Sequence, residues 1–406
     1  MSHLDFDMLS PEGLENPWEF LGRIQEEDPI FWSDIQQAWL ITKLDDVRAA
    51  FLDKRLSSQR LDFYLRQFEG DLKTACPLFM RHAPLIVGFI DAPDHSRIRA
   101  LVVRAFSKPV VDRMRAAGIR IIEDMLALCE RERDIDFASR LSYELPTLLI
   151  MAIFDFPLEH RQKFDQLAED IRNTLGSSRP TFAAMLALEK SMAVVFDILS
   201  GLIEEATANP SDNLLSQLVQ AHNDGDRLSR DELLTLCLAI VAGGVDTTAA
   251  AISLFTRWIA ADPALLEEVR RSPEAASKLV DELLRYPGQS KSNTRVASES
   301  FEWRGKQIRK GDFVFLMQNA ANTDAEAWDR PLEIDVGRST RNAVPFGHGA
   351  HHCIGAMLAK MELTELLHRF FTRFDVEVQE DKAVLQQSYI FIGYKNLPIR
   401  VTPRHV

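Results

Sequence analysis

Cysteine is scarce: Cys76, Cys129, Cys237 and Cys353 are scattered through 406 residues with no C-x-x-C pair. That spacing argues against a disulfide framework and against a zinc ribbon. Long apolar runs are missing too. The longest, Leu233–Val245 and Leu145–Phe154, fall short of the roughly 20 residues that cross a bilayer, and charge bounds each of them, so no membrane association is expected. Basic residues are outnumbered, 47 Lys+Arg against 60 Asp+Glu, for a formal charge of −13. Nucleic acid and anionic membrane surfaces are therefore not expected partners, although a local basic patch remains open. The opening MSHLDFDMLSPEGLENPWEF has neither the basic start nor the apolar stretch of a signal peptide, so a cytoplasmic protein is expected. No repeat, low-complexity linker or Pro/Gly-rich boundary interrupts the chain, which predicts a single domain over residues 1–406.

What is present is mostly helical. Apolar spacing of three to four residues recurs over Val111–Arg131, Arg140–Ile153, Phe182–Ala206, Asp231–Ala261, Ala264–Arg271, Ala275–Arg285 and Gly355–Phe374. Strand-like alternation is confined to Ile30–Trp32, Ala38–Thr42, Arg295–Ala297, Phe301–Trp303, Lys306–Ile308, Phe313–Leu316, Phe374–Val378 and Ile399–Thr402. The pattern predicts a mainly α fold with small antiparallel sheets at its margin. Ser229 followed by Glu232 reads as a capping box, with Leu228 and Leu233 as a hydrophobic staple. The helix it opens has no proline before Asp262-Pro263; it should run about 32 residues, roughly 48 Å. Being apolar nearly all round, it should be buried.

Two constellations carry chemistry. Within the long helix lies Ala242-Gly243-Gly244-Val245-Asp246-Thr247-Thr248. Each glycine costs about 1 kcal/mol relative to alanine there, and the acid sits in an apolar setting, so both need a reason. Either the glycines admit a flat ligand while Asp246 and Thr247 hold water and move protons, or they serve a helix crossing and Asp246 a structural ion pair. The second constellation is Phe346-Gly347-His348-Gly349-Ala350-His351-His352-Cys353-Ile354-Gly355, a glycine-punctuated loop running into a helix. A cysteine at a helix N-terminus is favoured as a thiolate by the free backbone N–H groups and the helix dipole. Gly347 and Gly349 permit tight turns against a planar cofactor, and Phe346 can shield the sulfur. A zinc site from His348, His351, His352 and Cys353 is disfavoured because adjacent residues cannot easily surround a tetrahedral ion. A cysteine nucleophile lacks any accompanying signature. The other three cysteines read as structural.

The loop resembles the cysteine-ligand signature of the cytochrome P-450 haem-thiolate monooxygenases, F-G-x-G-x-[HR]-x-C-x-G, at every defined position. Gly243–Thr248 is similar to the family's [AG]-G-x-[DE]-T-[TS] oxygen-activation pattern. Glu282-Leu283-Leu284-Arg285 resembles its E-x-x-R pair, to be joined by a meander from Ala321-Asn322-Thr323-Asp324 to Ile334-Asp335-Val336-Gly337-Arg338, in which Ile334 replaces the usual aromatic. Asp91–Arg99 resembles the family's D-x-P-x-H-x-x-x-R stretch, and Gly393–Pro398 its closing hairpin. The resemblance implies the cytochrome P-450 fold with its long helix behind a non-covalent haem b, bound through Cys353 and Gly355 with Gly243, Gly244, Phe346, Gly347 and Gly349 around it. It implies His95, Arg99, Arg295 and His351, in a position that more often holds Arg, as partners of the propionates. The implied reaction inserts one atom of O₂ into a C–H bond or double bond of a small or medium organic substrate. Cys353 pushes electron density onto the iron, and Asp246 and Thr247 relay protons.

With no flavin or nicotinamide domain in evidence, electrons are expected from a separate ferredoxin and its reductase. The basic stretch Arg97, Arg99, Arg104, Lys108, Arg113, Arg115, Arg120 is a candidate docking surface or a solvated helix face. A monomer is expected. By resemblance Phe79–Val87, Ile240–Gly244, Gln289–Asn293 and Tyr389–Ile392 face the substrate, the polar run Gln289–Asn293 hinting at a hydrogen-bonding or anionic group. Rival readings are a peroxide-driven enzyme, which typically lacks the acid–threonine pair, and a non-catalytic haem sensor or carrier.

Overall fold

The computed structural model describes residues 3–65, 71–106, 108–175, 181–223 and 228–404. They divide into two compact units interleaved along the chain: Met1–Ser58, Asp124–Ser142 and Thr247–Val406 form the first, Gln59–Glu123 and Tyr143–Asp246 the second.

In the first unit a five-stranded sheet runs in the order Ile30–Ser33, Ala38–Ile41, Phe313–Leu316, Asn293–Ala297, Leu56–Ser57. It is not wholly antiparallel as expected: Ala38–Ile41 lies parallel to Phe313–Leu316, with Trp39 opposite Val314. Residues some 270 positions apart are under no hairpin constraint, so direction here is set by tertiary packing. The sheet's apolar face closes over a core including Ile41, Leu44, Val47, Val314, Leu316 and Val344. A second sheet places Pro398–Pro403 between Asp134–Asp136 and Phe374–Val378, all antiparallel.

The helix Pro273–Arg285 ends in this unit on a buried ion pair. Arg285 is fully buried and bonds Glu282 through Nε (3.0 Å) and Nη2 (2.6 Å). Its remaining donors reach the carbonyls of Asn322, Pro331 and Glu333. Arg338 and the amide of Asp335 complete the Glu282 carboxylate. A buried arginine is tolerable only when its donors are met, and here backbone carbonyls of the meander do so. Asn322 then accepts from Val344 N at 2.7 Å, and Gln318 donates to Val344 O at 2.6 Å. The network thereby holds the segment that enters Phe346–Cys353.

The second unit is helical, built on Asp94–Ala105, the first part of Lys108–Arg131, Glu144–Ile153, Arg161–Thr174, Phe182–Ala208 and Arg230–Gly244. The capping box is as predicted: Ser229 Oγ accepts from Glu232 N at 3.2 Å and Glu232 from Ser229 N at 2.6 Å. The expected uninterrupted helix instead breaks at Val245, giving Arg230–Gly244 and Asp246–Ala261. By length and apolarity Arg230–Ala261 would span a bilayer, but 67% of its apolar window is buried in the fold, as in a core helix. Arg161–Thr174 was not expected, although Phe164, Leu167, Ala168 and Ile171 already carry helical spacing and are buried.

Candidate functional site

In the first unit the loop before Ala356–Arg373 closes on itself. Gly347 N donates to Val344 O (3.1 Å), His352 N to Gly349 O (3.1 Å) and Cys353 N to Phe346 O (2.9 Å). Gly347 and Gly349 adopt φ of 73° and 71°, a region a side chain rarely enters. A Cβ on Gly349 would also meet Leu52 Cδ2 at 2.6 Å. The turns therefore present Cys353, exposed while Cys76, Cys129 and Cys237 are buried. Burial pushes the Cys129 thiol up to about 11 and the Cys237 thiol to about 12, which keeps both inert. The helix after Cys353 begins on Gly355, which supplies no side-chain acceptor to its first-turn amides, and a Cβ on Gly355 would lie 4.0 Å from Cys353 Sγ. Phe346 and His352 pair at 6.3 Å between ring centroids.

Three neighbours of this loop were not legible in the sequence. Phe51, from the helix Leu44–Leu52, lies against Gly347 and also under Arg295, whose guanidinium carbon is 5.5 Å from the ring centroid. Leu52 packs on Gly349, and Ser58 Oγ lies 3.1 Å from His351 Nε2. Arg295 is buried on its strand and bonds Asn293 Oδ1 and Thr294 O, both at 2.7 Å. Arg295, Phe346, Gly347, Gly349, His351, Cys353 and Gly355 thus share one unit, with Thr247. Among the described residues, no three His, Cys, Asp or Glu side chains converge on a metal-ligating geometry, which removes the zinc reading of His348, His351, His352 and Cys353.

The second unit holds His95, Arg99, Gly243, Gly244 and Asp246. The two glycines differ. Nothing lies within 4 Å of a Cβ added to Gly243, whereas one on Gly244 would collide with Ile150 Cδ1. Gly244 therefore also serves the crossing of Glu144–Ile153, where an added methyl would have to displace the end of the Ile150 side chain. Ala239, Ile240, Ala242, Gly243, Gly244 and Thr247 are partly accessible, while Val241, Val245, Asp246 and Thr248 are buried. Asp246 is buried, and Arg172 Nε donates to its Oδ1 at 2.8 Å. Burial pushes the Asp246 carboxyl up and Arg172 pulls it back without fully offsetting burial. For Arg172, burial opposes the charge, but Asp246 together with Tyr143 and Glu169 outweighs it and holds the guanidinium's affinity for its proton above the ordinary value. Tyr143 lies with its ring 4.1 Å from the Arg172 guanidinium carbon. Arg172 was missed because its helix was.

His95 is buried and Arg99 half-buried on Asp94–Ala105, four residues apart. Arg97, counted in the basic stretch, instead turns to Glu232 of the capping box. Arg104, Arg113, Arg115 and Arg120 are exposed; the side chain of Lys108 lies outside the described residues. The polar run Gln289–Asn293 is mostly internal. Ser290 donates to Gln318 Oε1 (3.0 Å), Lys291 Nζ to Met8 O (2.9 Å) and Ser388 O (3.0 Å), and Ser292 to Tyr389 O (2.7 Å). Asn293 accepts from Thr294 N and Arg295. Buried polar groups seek partners, and Lys291 and Ser292 found them in the N-terminal segment and the tail, whereas the Oε1 of buried Gln289 has none among the described residues, so the hint of a polar substrate narrows to Gln289.

A family model described as Cytochrome P450 matches residues 78–401. The chain belongs to the cytochrome P450 family. Membership implies a haem held by a cysteine thiolate and monooxygenase chemistry on an organic substrate with O₂. The chain is 31% identical to the 6-deoxyerythronolide B hydroxylase of Saccharopolyspora erythraea over 372 residues, 90% of this P450 and 91% of that protein. It is 28% identical to the polyketide biosynthesis cytochrome P450 PksS of Bacillus subtilis, covering 97% and 99%. The crystal structure of epothilone D-bound cytochrome P450epoK superposes with a TM-score of 0.88 at 28% identity, covering 98% of this chain and 100% of that one. The mainly α P450 fold is thus confirmed, and the family model runs through segments of both units.

Proposed function

We propose that this P450 is a haem-thiolate monooxygenase in which Cys353 ligates the iron of a haem b, working as one domain over residues 1–406. The observation that carries the reading is the exposed cysteine held on two left-handed glycine turns ahead of a helix whose first amides lack a side-chain cap. Those amides can stabilise a thiolate, and the open space beside Gly243 leaves room for a flat ligand. Arg295, His351, His95 and Arg99 would hold the propionates; a buried Arg295 suits an anionic group. When bound, the haem supplies O₂ activation, and the thiolate's electron push favours O–O cleavage.

The chain's own contribution is to place protons. Asp246 stands one residue from Thr247 at the helix break, so its carboxyl, once protonated from solvent, would pass that proton toward the Thr247 hydroxyl and be left as the carboxylate. It must first part from Arg172, which makes the ion pair a control point. The substrate class is a medium-sized organic molecule of the polyketide type, supported by the name of the polyketide biosynthesis relative PksS. Electrons would come from a separate acidic ferredoxin and its reductase, docking on Arg104, Arg113, Arg115 and Arg120; the protein would act as a cytoplasmic monomer. The test is the absorption spectrum of the reduced protein under carbon monoxide. The long-wavelength band of a thiolate-ligated haem is expected in the wild type and lost in Cys353→Ser, and its persistence in that variant would overturn the reading.

A further inference from the structure

We infer that Tyr143 is a positioning residue for proton delivery: its ring face seats Arg172 on the Asp246 carboxylate and so governs when that carboxylate is released. The inference rests on the relay role proposed for Asp246. Three elements converge here: Tyr143 caps the start of Glu144–Ile153, Arg172 belongs to Arg161–Thr174, and Asp246 opens Asp246–Ala261.

Tyr143 is a fixed seat. Its carbonyl accepts from Thr147 Oγ1 at 2.6 Å and from Thr147 N at 3.3 Å. The next residue, Glu144, pairs with Arg161, and Ile150 of the same helix fills the space that Gly244 leaves. The helix bearing Tyr143 is thereby tied both to the helix bearing Arg172 and to the helix ending beside Asp246. Arg172 is different: its side chain keeps 27% exposure against 5% for Asp246, so a water-facing pose is within its reach. Two attractions hold it inward, the carboxylate at 2.8 Å and the ring at 4.1 Å. A guanidinium over a desolvated aromatic face gains on the order of 2- to 30-fold in occupancy. Without the ring, Arg172 would leave more often, and Asp246, buried and deprived of its cation, would hold a proton more tightly.

The groups bearing on this equilibrium are Asp246 and Tyr143, with Glu169 acting on Arg172 from its own helix. Burial pushes the Tyr143 phenol up to about 12, so it stays neutral in the working range and acts through its ring and not as a phenolate. Phenylalanine should therefore substitute, and leucine should not.

The experiment is an infrared pH titration of the full-length holoprotein, with the Asp246 carboxyl band assigned by subtracting Asp246→Asn. Tyr143→Leu should move the midpoint upward by about 0.5 to 1.5 pH units while Tyr143→Phe leaves it in place. If leucine impairs folding, Tyr143→Met, apolar bulk without a π face, should show the same upward shift. Equal midpoints in wild type and the leucine or methionine variant, or a phenylalanine shift as large as theirs, would overturn the assignment. The relay role fails separately: it falls if Asp246→Asn leaves the coupling of electron use to product unchanged, whatever the midpoints do.

Discussion

Glu362 sits inside the helix Ala356–Arg373 at 4% exposure, and its Oε2 has no hydrogen-bond partner among the described residues. Burial pushes this carboxyl up from 4.5 to about 8. The folded protein therefore keeps the proton over a range in which the unfolded chain releases it. Stability tied to this group should fall as pH climbs from about 4.5 toward 8 and level off above, by at most about 5 kcal/mol. Glu362→Gln removes that dependence. Urea midpoints of variant and wild type should nearly agree at pH 5 and separate at pH 8 with the variant higher; parallel curves would show that the carboxyl is solvated or paired. Residue identity alone announces an acid in an apolar helical pattern here, but not that the acid lacks a partner. The same limit applied to Asp246, whose two readings were equally open from sequence. The structure shows the ion pair with Arg172 and the helix crossing at Gly244, on a segment that also carries accessible residues.

At the scale of the element, Gly244 decides how closely two helices approach. On helix propensity alone, Gly244→Ala would stabilise by about 1 kcal/mol. The collision falls on the Cδ1 methyl of Ile150, the end of a flexible side chain, and moving it should offset that gain by about 0.5 to 1.5 kcal/mol. Ile150→Ala in the same chain should recover part of that offset, so the double variant costs less than the sum of the singles in urea unfolding. Strict additivity would mean that Gly244 and Ile150 do not share the space. The capped start at Ser229 was the most legible element boundary, a local signal whose donors and acceptors, shared with Glu232, lie within three residues. The break at Val245 was not placed in advance, because interruption depends on what packs against the glycines. Strand direction was likewise beyond reach where Ala38–Ile41 meets Phe313–Leu316.

Across the whole molecule, charge is uneven. The chain carries −13, yet Arg104, Arg113, Arg115 and Arg120 lie exposed along consecutive helices of one unit. An acidic ferredoxin docking there would be steered by attraction that salt screens over about 10 Å at 0.1 M. The rate of reduction by ferredoxin should fall several-fold between low and physiological salt, and Arg113→Glu should lower it at low salt while narrowing that dependence. A stopped-flow rate indifferent to ionic strength would remove these arginines from the encounter.

The sequence by itself determined the glycine-turned Cys353 loop, the capped start of the central helix and the Glu282–Arg285 pair, because each is written in residues a few positions apart whose backbone geometry or hydrogen bonds close locally. Only the tertiary structure decided that Arg172, among many arginines, faces Asp246, that Phe51 links Arg295 to Gly347, and that Ser290, Lys291 and Ser292 satisfy carbonyls of remote segments. Those partners lie tens to hundreds of residues apart. Until the chain is packed, any arginine is as good an ion-pair partner as another, and burial and distance are what choose between them.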